Sequence, residues 1–386
     1  MNIHTGDASY IRKLNRGLIL KNIIEHGMIS RADLSKTIGL NKATISVQVA
    51  DLLEENLIYE TQQEHFSIGR RPIMLAINGK AGYVLGIDVD HQQIQFTICD
   101  LTGRKVQSET IHPQTDDYDE IVQLLVNQIK EYDKKYSNCH FGMISAVIGI
   151  HGTVSKDESI LFVPKYNWHR KNLKVDLEKE LENTDIYIEN NANLSSYAER
   201  VYHYHHSDNL LTILLTSGIG AGIMIDGELH KGYHGYAGEM GHMIIVPDGE
   251  RCRCGNLGCW ELYASEPTLV SQLSKQLNKP NLTHKDVQTM LVQQNPIIDE
   301  HMDHFIKYLS IGLNNIINLY NPESLVLNSE LLRLYPNAIK KIKSNLTSSM
   351  SNYHELTISE LGSRACVMGA CALAIQRFLE VPELIY

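Results

Sequence analysis

Two stretches of this chain run through the same order of elements, strand-strand-strand-helix-strand, and that repeat constrains the fold more than any other feature. In YVLGIDVDHQQIQFTICDLTGRKVQSETI (83–111) three β-like runs are separated by tight turns, with Gly103 at the second. A helical run at about 117–135 and the apolar strand MISAVIGI (143–150) complete the first unit. The second opens with LLTILLTS (210–217) and AGIMIDGEL (221–229), continues with a strand near 242–246, and closes after helices with ESLVLN (323–328). A duplicated unit of this kind predicts an α/β body of two lobes, ribonuclease-H-like, with a ligand cleft between the lobes. The closing run SRACVMGACALAIQRFL (363–379) is apolar on most sides, so that helix is expected to pack against a lobe.

The N-terminal residues lie outside this repeat and differ from it in charge. Residues 1–78 carry 9 Lys+Arg against 8 Asp+Glu, whereas the remainder carries 26 against 37. The net charge of −10 therefore belongs to the body, which would repel phosphate. If the chain touches nucleic acid, it does so through its first 78 residues. No apolar run approaches the roughly 20 residues of a membrane span, and MNIHTGDASYIRKLNRG has neither the apolar core nor the cleavage site of a secretory signal. A cytoplasmic protein without membrane partners is expected. Seven cysteines, an odd number, argue against a disulfide framework.

Within 1–78, Ile11, Leu14, Leu18, Ile19 and Ile23 recur at helical spacing up to Gly27. Ser30 is placed to cap RADLSKTIG, with Asp33 three residues on, and Gly39 permits a tight turn. Asn41 then caps KATISVQVADLLEEN, which is expected to turn Ile45, Val49, Leu52 and Leu53 inward and to expose Lys42, Ala43, Thr44, Ser46 and Gln48. A second helix with small and polar residues in its early turns is what docking in a major groove requires. Two β-like runs flank Gly69-Arg70-Arg71-Pro72, the tip of a wing suited to a narrow minor groove. This segment reads as a winged helix-turn-helix with Ser30, Arg31, Asn41, Lys42, Ala43, Thr44, Ser46, Gln48, Arg70 and Arg71 as DNA contacts. Paired half-sites imply a homodimer on operator DNA.

The strongest chemical signal is GHMIIVPDGERCRCGNLGCWE, in which His242, Cys252, Cys254 and Cys259 fall within 18 residues. Three thiolates and one imidazole form a closed tetrahedral set for structural zinc, and Gly255 and Gly258 let the backbone wrap an ion. Cys99, Cys139, Cys366 and Cys371 sit in apolar surroundings and are expected in the core.

Glu-x-Gly-His (239–242), the run Cys252 to Glu261 and TSGIGAGI (216–223) together resemble the ROK family of repressors, open reading frames and kinases. GIHGTV (149–154) resembles the family's sugar loop, with His151 in place of proline, and ENNAN (189–193) resembles its Glu-Asn-Asp-x-Asn motif, with Asn191 at the aspartate. The resemblance covers essentially the whole chain, since repressor members carry a winged helix ahead of an actin/sugar-kinase-like body. It implies domains over 1–78 (DNA binding), 79–190 (N-terminal lobe, joined by the C-terminal helix 364–386) and 191–363 (C-terminal lobe with zinc). It also implies Gly152, Asn190, Asn191, Glu239, His242 and Glu261 as sugar contacts.

In the family's kinases the aspartate of that motif is the base that accepts the sugar hydroxyl proton. A carboxamide binds a hydroxyl but does not deprotonate it. The kinases' phosphate-binding glycines are replaced here by Asp88-Val89-Asp90-His91-Gln92, and their later glycine pair by Leu327-Asn328-Ser329. The expectation is a sugar-responsive repressor, not an enzyme, with no ATP bound. The GIHG loop, Tyr166-Asn167-Trp168 and the Asn-rich turn resemble xylose-responsive members, so the expected effector is xylose. Glucose and N-acetylglucosamine remain alternatives, as does a sugar kinase with an accessory DNA-binding domain. Trp168 is assigned equally to the ligand or to the core.

Overall fold

The computed structural model describes residues 8–62, 72–90, 92–181 and 184–386. The N-terminal module comprises α1 (Ala8–His26), β1 (Ile29–Ser30), α2 (Arg31–Ile38), α3 (Lys42–Glu54), β2 (Ile58–Gln62) and β3 (Ile73–Ile77), with the strands in the order β1-β3-β2. Its caps are those the sequence predicts. Ser30 Oγ accepts from the Asp33 N–H at 3.1 Å, Gly39 takes φ 76° at the end of α2, and Asn41 Oδ1 accepts from the Thr44 N–H at 2.8 Å. The two side-chain caps each satisfy an N–H that a helix start otherwise leaves orphaned, and the Gly39 N–H donates to the Ser35 carbonyl at the helix end. Ile19, Leu20 and Ile23 of α1 are buried together with Leu34, Ile45, Val49 and Leu52, whereas Ile11, Leu14 and Leu18 lie on the open side of α1. Arg12–Asp51 and Arg16–Glu55 ion pairs, at 2.6 and 2.5 Å, tie α1 to α3 and its C-terminal end.

The chain continues through β4 (Gly82–Val89), β5 (Ile94–Asp100), β6 (Lys105–Ile111), α4 (Tyr118–Tyr136) and β7 (Gly142–Ile150). The hairpin β8 (Thr153–Val154) and β9 (Ile160–Val163) follows, then β10 (Trp168–Lys171), α5 (Leu173–Glu178) and β11 (Asp185–Asn190). Beyond them run α6 (Asn191–Tyr202), β12 (Leu210–Leu214), β13 (Gly220–Ile225) and β14 (Glu228–Leu229). A helical stretch follows: α7 (Glu261–Ala264), α8 (Glu266–Gln276), α9 (His284–Val292) and α10 (Pro296–Tyr320). The chain ends with β15 (Ser324–Asn328), α11 (Glu330–Leu334), α12 (Ala338–Asn345), β16 (Glu355–Ile358) and α13 (Ala365–Leu379).

The repeat read from the sequence is present in the topology. One sheet has the order β11-β7-β4-β5-β6 and the other β14-β13-β12-β15-β16. In each, the first strand pairs antiparallel with the second and parallel with the fourth. The third strand of the second copy is β14, and no strand forms at 242–246. That stretch instead holds a 3-10 turn over Met240–His242 and a single bridge, Ile244 to Cys259.

Two compact units result. The first contains residues 1–150, 165–189 and 367–386, and the second 151–164 and 190–366. Residues 151–164, expected in the lobe over 79–190, thus group with the second unit. In the first, α13 crosses β4 where Gly86 has no side chain: a Cβ there would lie 2.3 Å from the Val367 carbonyl oxygen. The C-terminal residues run on to α1, where Lys13 pairs with Glu380 and Lys21 with Glu383, both at 2.6 Å. Trp168 is core, stacked on Tyr166 with centroids 4.5 Å apart and donating Nε1–H to the Asp116 carbonyl at 3.3 Å. In the second unit the core centres on Trp260, against which Gly312 of α10 packs so closely that a Cβ would overlap the indole. Cys99, Cys366 and Cys371 are buried and Cys139 is half-buried.

Candidate functional site

The six expected sugar contacts all lie in the second unit, around the start of α6. Asn190 ends β11 and caps α6: its Oδ1 accepts from the N–H groups of Ala192 and Asn193 at 2.8 and 3.1 Å, and its Nδ2 donates to the Gly152 carbonyl at 2.9 Å. Its amide therefore latches the sugar loop to the helix start. Gly152 has a backbone reason to be glycine, since a Cβ would lie 2.4 Å from the Phe162 carbonyl oxygen across the β8–β9 hairpin. Asn191, the next residue, differs. It is only 8% exposed, and among the described residues its carboxamide has no hydrogen-bond partner. A polar group held near the surface and left unpaired is suited to an external hydroxyl.

Three glycines let the flanking segments close on this helix start. A Cβ at Gly222 of β13 would lie 2.3 Å from the Ala192 carbonyl oxygen, one at Gly238 2.0 Å from that of Ala221, and one at Gly241 2.3 Å from that of Ile219. The loop after β14 thereby carries Glu239 and His242 back against β13. Thr153 Oγ1 donates to Glu239 Oε1 at 3.4 Å, and His151 Nδ1 lies 3.1 Å from Ser217 Oγ. Glu239 keeps 44% of its side-chain surface open. The protein atoms crowding it still raise its pKa, against the opposing pull of His242 and the Thr153 hydroxyl.

His242 also belongs to the cysteine cluster. The ligand atoms of His242, Cys252, Cys254 and Cys259 all lie within 4.8 Å of one another. Cys252 Sγ is 3.6 Å from His242 Nδ1, and Cys254 Sγ is 3.5 Å from Cys259 Sγ. A tetrahedral ion with ligands at about 2.1–2.3 Å sets such edges at roughly 3.6–3.8 Å, so the donor set has the size and softness of a divalent metal site. Positive φ at Gly255 (104°) and Gly258 (79°) turns the chain around it, and a Cβ at Gly258 would collide with the Val246 carbonyl. Burial, with the neighbouring thiols, pushes the Cys259 thiol up to about 12; a bound cation reverses that preference. Glu261 begins α7 with Oε1 3.3 Å from Cys252 Sγ and 3.5 Å from His242 Nδ1. Its Oε2 lies by Gly218 in the glycine-rich loop, 3.0 Å from where a Cβ would stand. The sequence-predicted sugar and metal residues are therefore one connected constellation that shares His242.

The N-terminal module presents the second candidate surface. On α3, Asn41, Lys42, Ala43 and Ser46 are exposed and Thr44 is half-buried. Gln48, expected to be exposed, is only 5% accessible and faces inward with Ile45, Val49 and Leu52; Val47 stands outside at 58%. The reason is helical phase: residue 48 is three beyond 45 and four before 52, on the buried stripe. Ser30 is 8% exposed and committed to its cap, and Arg31 pairs with Glu60 at 2.6 Å. The β2–β3 pairing runs from Ile58↔Ile77 to Gln62↔Ile73, the antiparallel arms expected of a wing, while Arg70 and Arg71 lie outside the described residues. Among the described residues no helix is long and apolar enough to cross a membrane.

A family profile for the ROK family matches residues 84–377. The chain is 35% identical over 380 residues to the xylose repressor of Bacillus subtilis strain 168, covering 97% of this chain and 98% of that protein. Among solved structures, a ROK family transcriptional regulator homologous to the E. coli MLC protein superposes with a TM-score of 0.81 at 27% identity, over 96% of this chain and 97% of that one. A ROK family glucokinase from Streptomyces griseus, in complex with glucose and AMPPNP, matches 76% of this chain and all of its own (TM-score 0.68, 23% identity), a likeness of fold.

Proposed function

The chain belongs to the ROK family, and from that premise we propose that it is a sugar-responsive transcriptional repressor. Residues 1–78 hold operator DNA, the chain acts as a homodimer, and a monosaccharide, xylose, releases the DNA. One observation carries the binding half of this reading: Asn191, buried and without a hydrogen-bond partner among the described residues, stands where proton abstraction would need a carboxylate. Its amide offers a donor and an acceptor to a sugar hydroxyl and no base. The catalytic reading is weakened at a second place. Where the family's kinases have a glycine pair, Asn328 and Ser329 are buried and engaged, Asn328 Nδ2 with the Gly362 carbonyl at 2.9 Å and Ser329 Oγ with Glu266 Oε1 at 2.6 Å. The choice of xylose rests on the likeness to a xylose repressor along nearly the whole of both chains.

In this reading Glu239, His242 Nε2 and Glu261 grip sugar hydroxyls beside Asn191, while Asn190 and Gly152 shape the turn. His242, Cys252, Cys254 and Cys259 hold zinc, which supplies a structural cross-link. Asn41, Lys42, Ala43, Thr44 and Ser46, with Arg70 and Arg71, face DNA in the cytoplasm. The switch needs xylose to bind the DNA-free conformation more tightly than the DNA-bound one.

The test is fluorescence anisotropy on the DNA upstream of the gene at fixed salt, titrating xylose, glucose and N-acetylglucosamine. Release by xylose alone supports the reading. Specific binding that no sugar disturbs removes the effector half, and the absence of specific binding removes the repressor.

A further inference from the structure

The burial of Gln48 leaves α3 with an outer face of unusual composition. Its exposed residues are Lys42, Ala43, Ser46, Val47, Ala50 and Glu54, which fall on one side of a helix. Ala43, Val47 and Ala50 recur at i, i+4 and i+7 and form an apolar strip about 10 Å long along the axis. Val47, 58% exposed, is its only large member. Ser46 does not compete for that face, because its hydroxyl donates to its own helix at the Lys42 carbonyl, 2.8 Å away. No carboxylate pairs with the Lys42 ammonium among the described residues. The face therefore offers one cation at its start, methyl groups along its middle and the Glu54 carboxylate only in its last turn, and the methyls of alanine allow close approach.

A single exposed valine is unremarkable on most surfaces. On a helix presented to a major groove it has one specific partner. Thymine alone among the bases carries a methyl group there, and apolar side chains read it by excluding water from both. Resting on the repressor reading, we propose that Val47 reads a thymine methyl group in each operator half-site, with Lys42 positioning the helix on an adjacent phosphate. Gln48 has no part in base recognition.

The experiment uses the full-length protein and the duplex it protects in footprinting of its own upstream DNA. Each thymine is replaced in turn by deoxyuridine, which deletes only the C5 methyl. Binding is read by anisotropy at fixed salt. Wild type is expected to lose about fourfold in affinity per half-site at one thymine position, the worth of one buried methyl. Val47→Ala should lose a similar amount on the unmodified duplex and nothing more when that thymine becomes deoxyuridine. Val47→Thr, which keeps the branched shape, should fall between them. Lys42→Ala should weaken both duplexes equally and lower the salt slope by about one. Indifference of wild type to every deoxyuridine overturns the inference, as does undiminished deoxyuridine sensitivity in Val47→Ala. Failure of wild type to bind any duplex specifically is a different result: it removes the repressor reading, and this inference with it.

Discussion

Replacing Glu199 with glutamine should make the second unit more stable at neutral and alkaline pH and leave it nearly unchanged in mild acid. Glu199 lies two turns into α6 and is fully buried. Its Oε1 accepts from the Ser359 hydroxyl, which in turn accepts from the Gly362 N–H at 3.0 Å. Its Oε2 has no partner among the described residues. The adjacent Arg200 guanidinium is directed away, to the Tyr204 and His205 carbonyls and to Asp208 at 3.0 Å. Burial, with Glu360 adding repulsion and Ser359 opposing, raises the Glu199 pKa from 4.5 to about 7. Below pH 4.5 the folded and unfolded chains both hold this proton. Between 4.5 and 7 the unfolded chain releases it while the folded chain keeps it, so stability falls as pH rises. Above 7 the folded chain must bury the charge. The loss across that window is about 3 kcal/mol, at about 1.4 kcal/mol per pH unit. Glutamine keeps the shape and cannot ionise. Urea unfolding from pH 5 to 8 in a Trp168→Phe background, where Trp260 alone reports the second unit, should show the two proteins diverging above pH 5. Parallel profiles, or a glutamine variant weaker at pH 8, would refute an internal neutral acid.

Gly152→Ala should weaken xylose binding about tenfold or more while leaving operator affinity intact, since the added Cβ strikes the Phe162 carbonyl and displaces the latched loop; calorimetry and anisotropy separate the two. Cys259→Ser, or chelation, should remove one metal per chain and lower the thermal midpoint of the second unit, read by metal analysis and scanning calorimetry. Asn191→Asp should retain sugar affinity within about tenfold and still fail to turn over ATP; turnover would return the kinase reading.

Local chemistry was legible in the sequence and long-range packing was not. Ser30, Gly39 and Asn41 act on backbone within four residues of themselves, so their identities are enough to place them. The His-Cys spacing is legible because one short loop must close on itself. Gln48 was misplaced although its phase relative to Ile45 and Leu52 was available, because its polarity outweighed its position. The strand expected at 242–246 failed for a tertiary reason: Gly258 presses on the Val246 carbonyl and ties that stretch to the cysteine loop. Glu199 carries no sequence signal at all. Its partner Ser359 is 160 residues away, and only the folded sheet brings them together.

His242 shows how the metal loop and the sugar turn depend on each other. Nδ1 faces the cysteines, 3.6 Å from Cys252 Sγ, and Nε2 faces Glu239 Oε2 across 4.0 Å. A neutral imidazole that gives Nδ1 to a metal carries its proton on Nε2. That nitrogen is then a donor, aimed at a carboxylate too distant to accept from it directly. The ring donor and the carboxylate acceptor are both left for a third group, and a sugar hydroxyl supplies the complementary acceptor and donor. A metal-free loop fixes neither tautomer nor ring angle, so loss of metal should blunt the sugar response before it unfolds the unit. Asn191, an amide, binds a hydroxyl without taking its proton, and the carboxylates of Glu239 and Glu261 beside His242 are the acceptors the constellation offers to that hydroxyl.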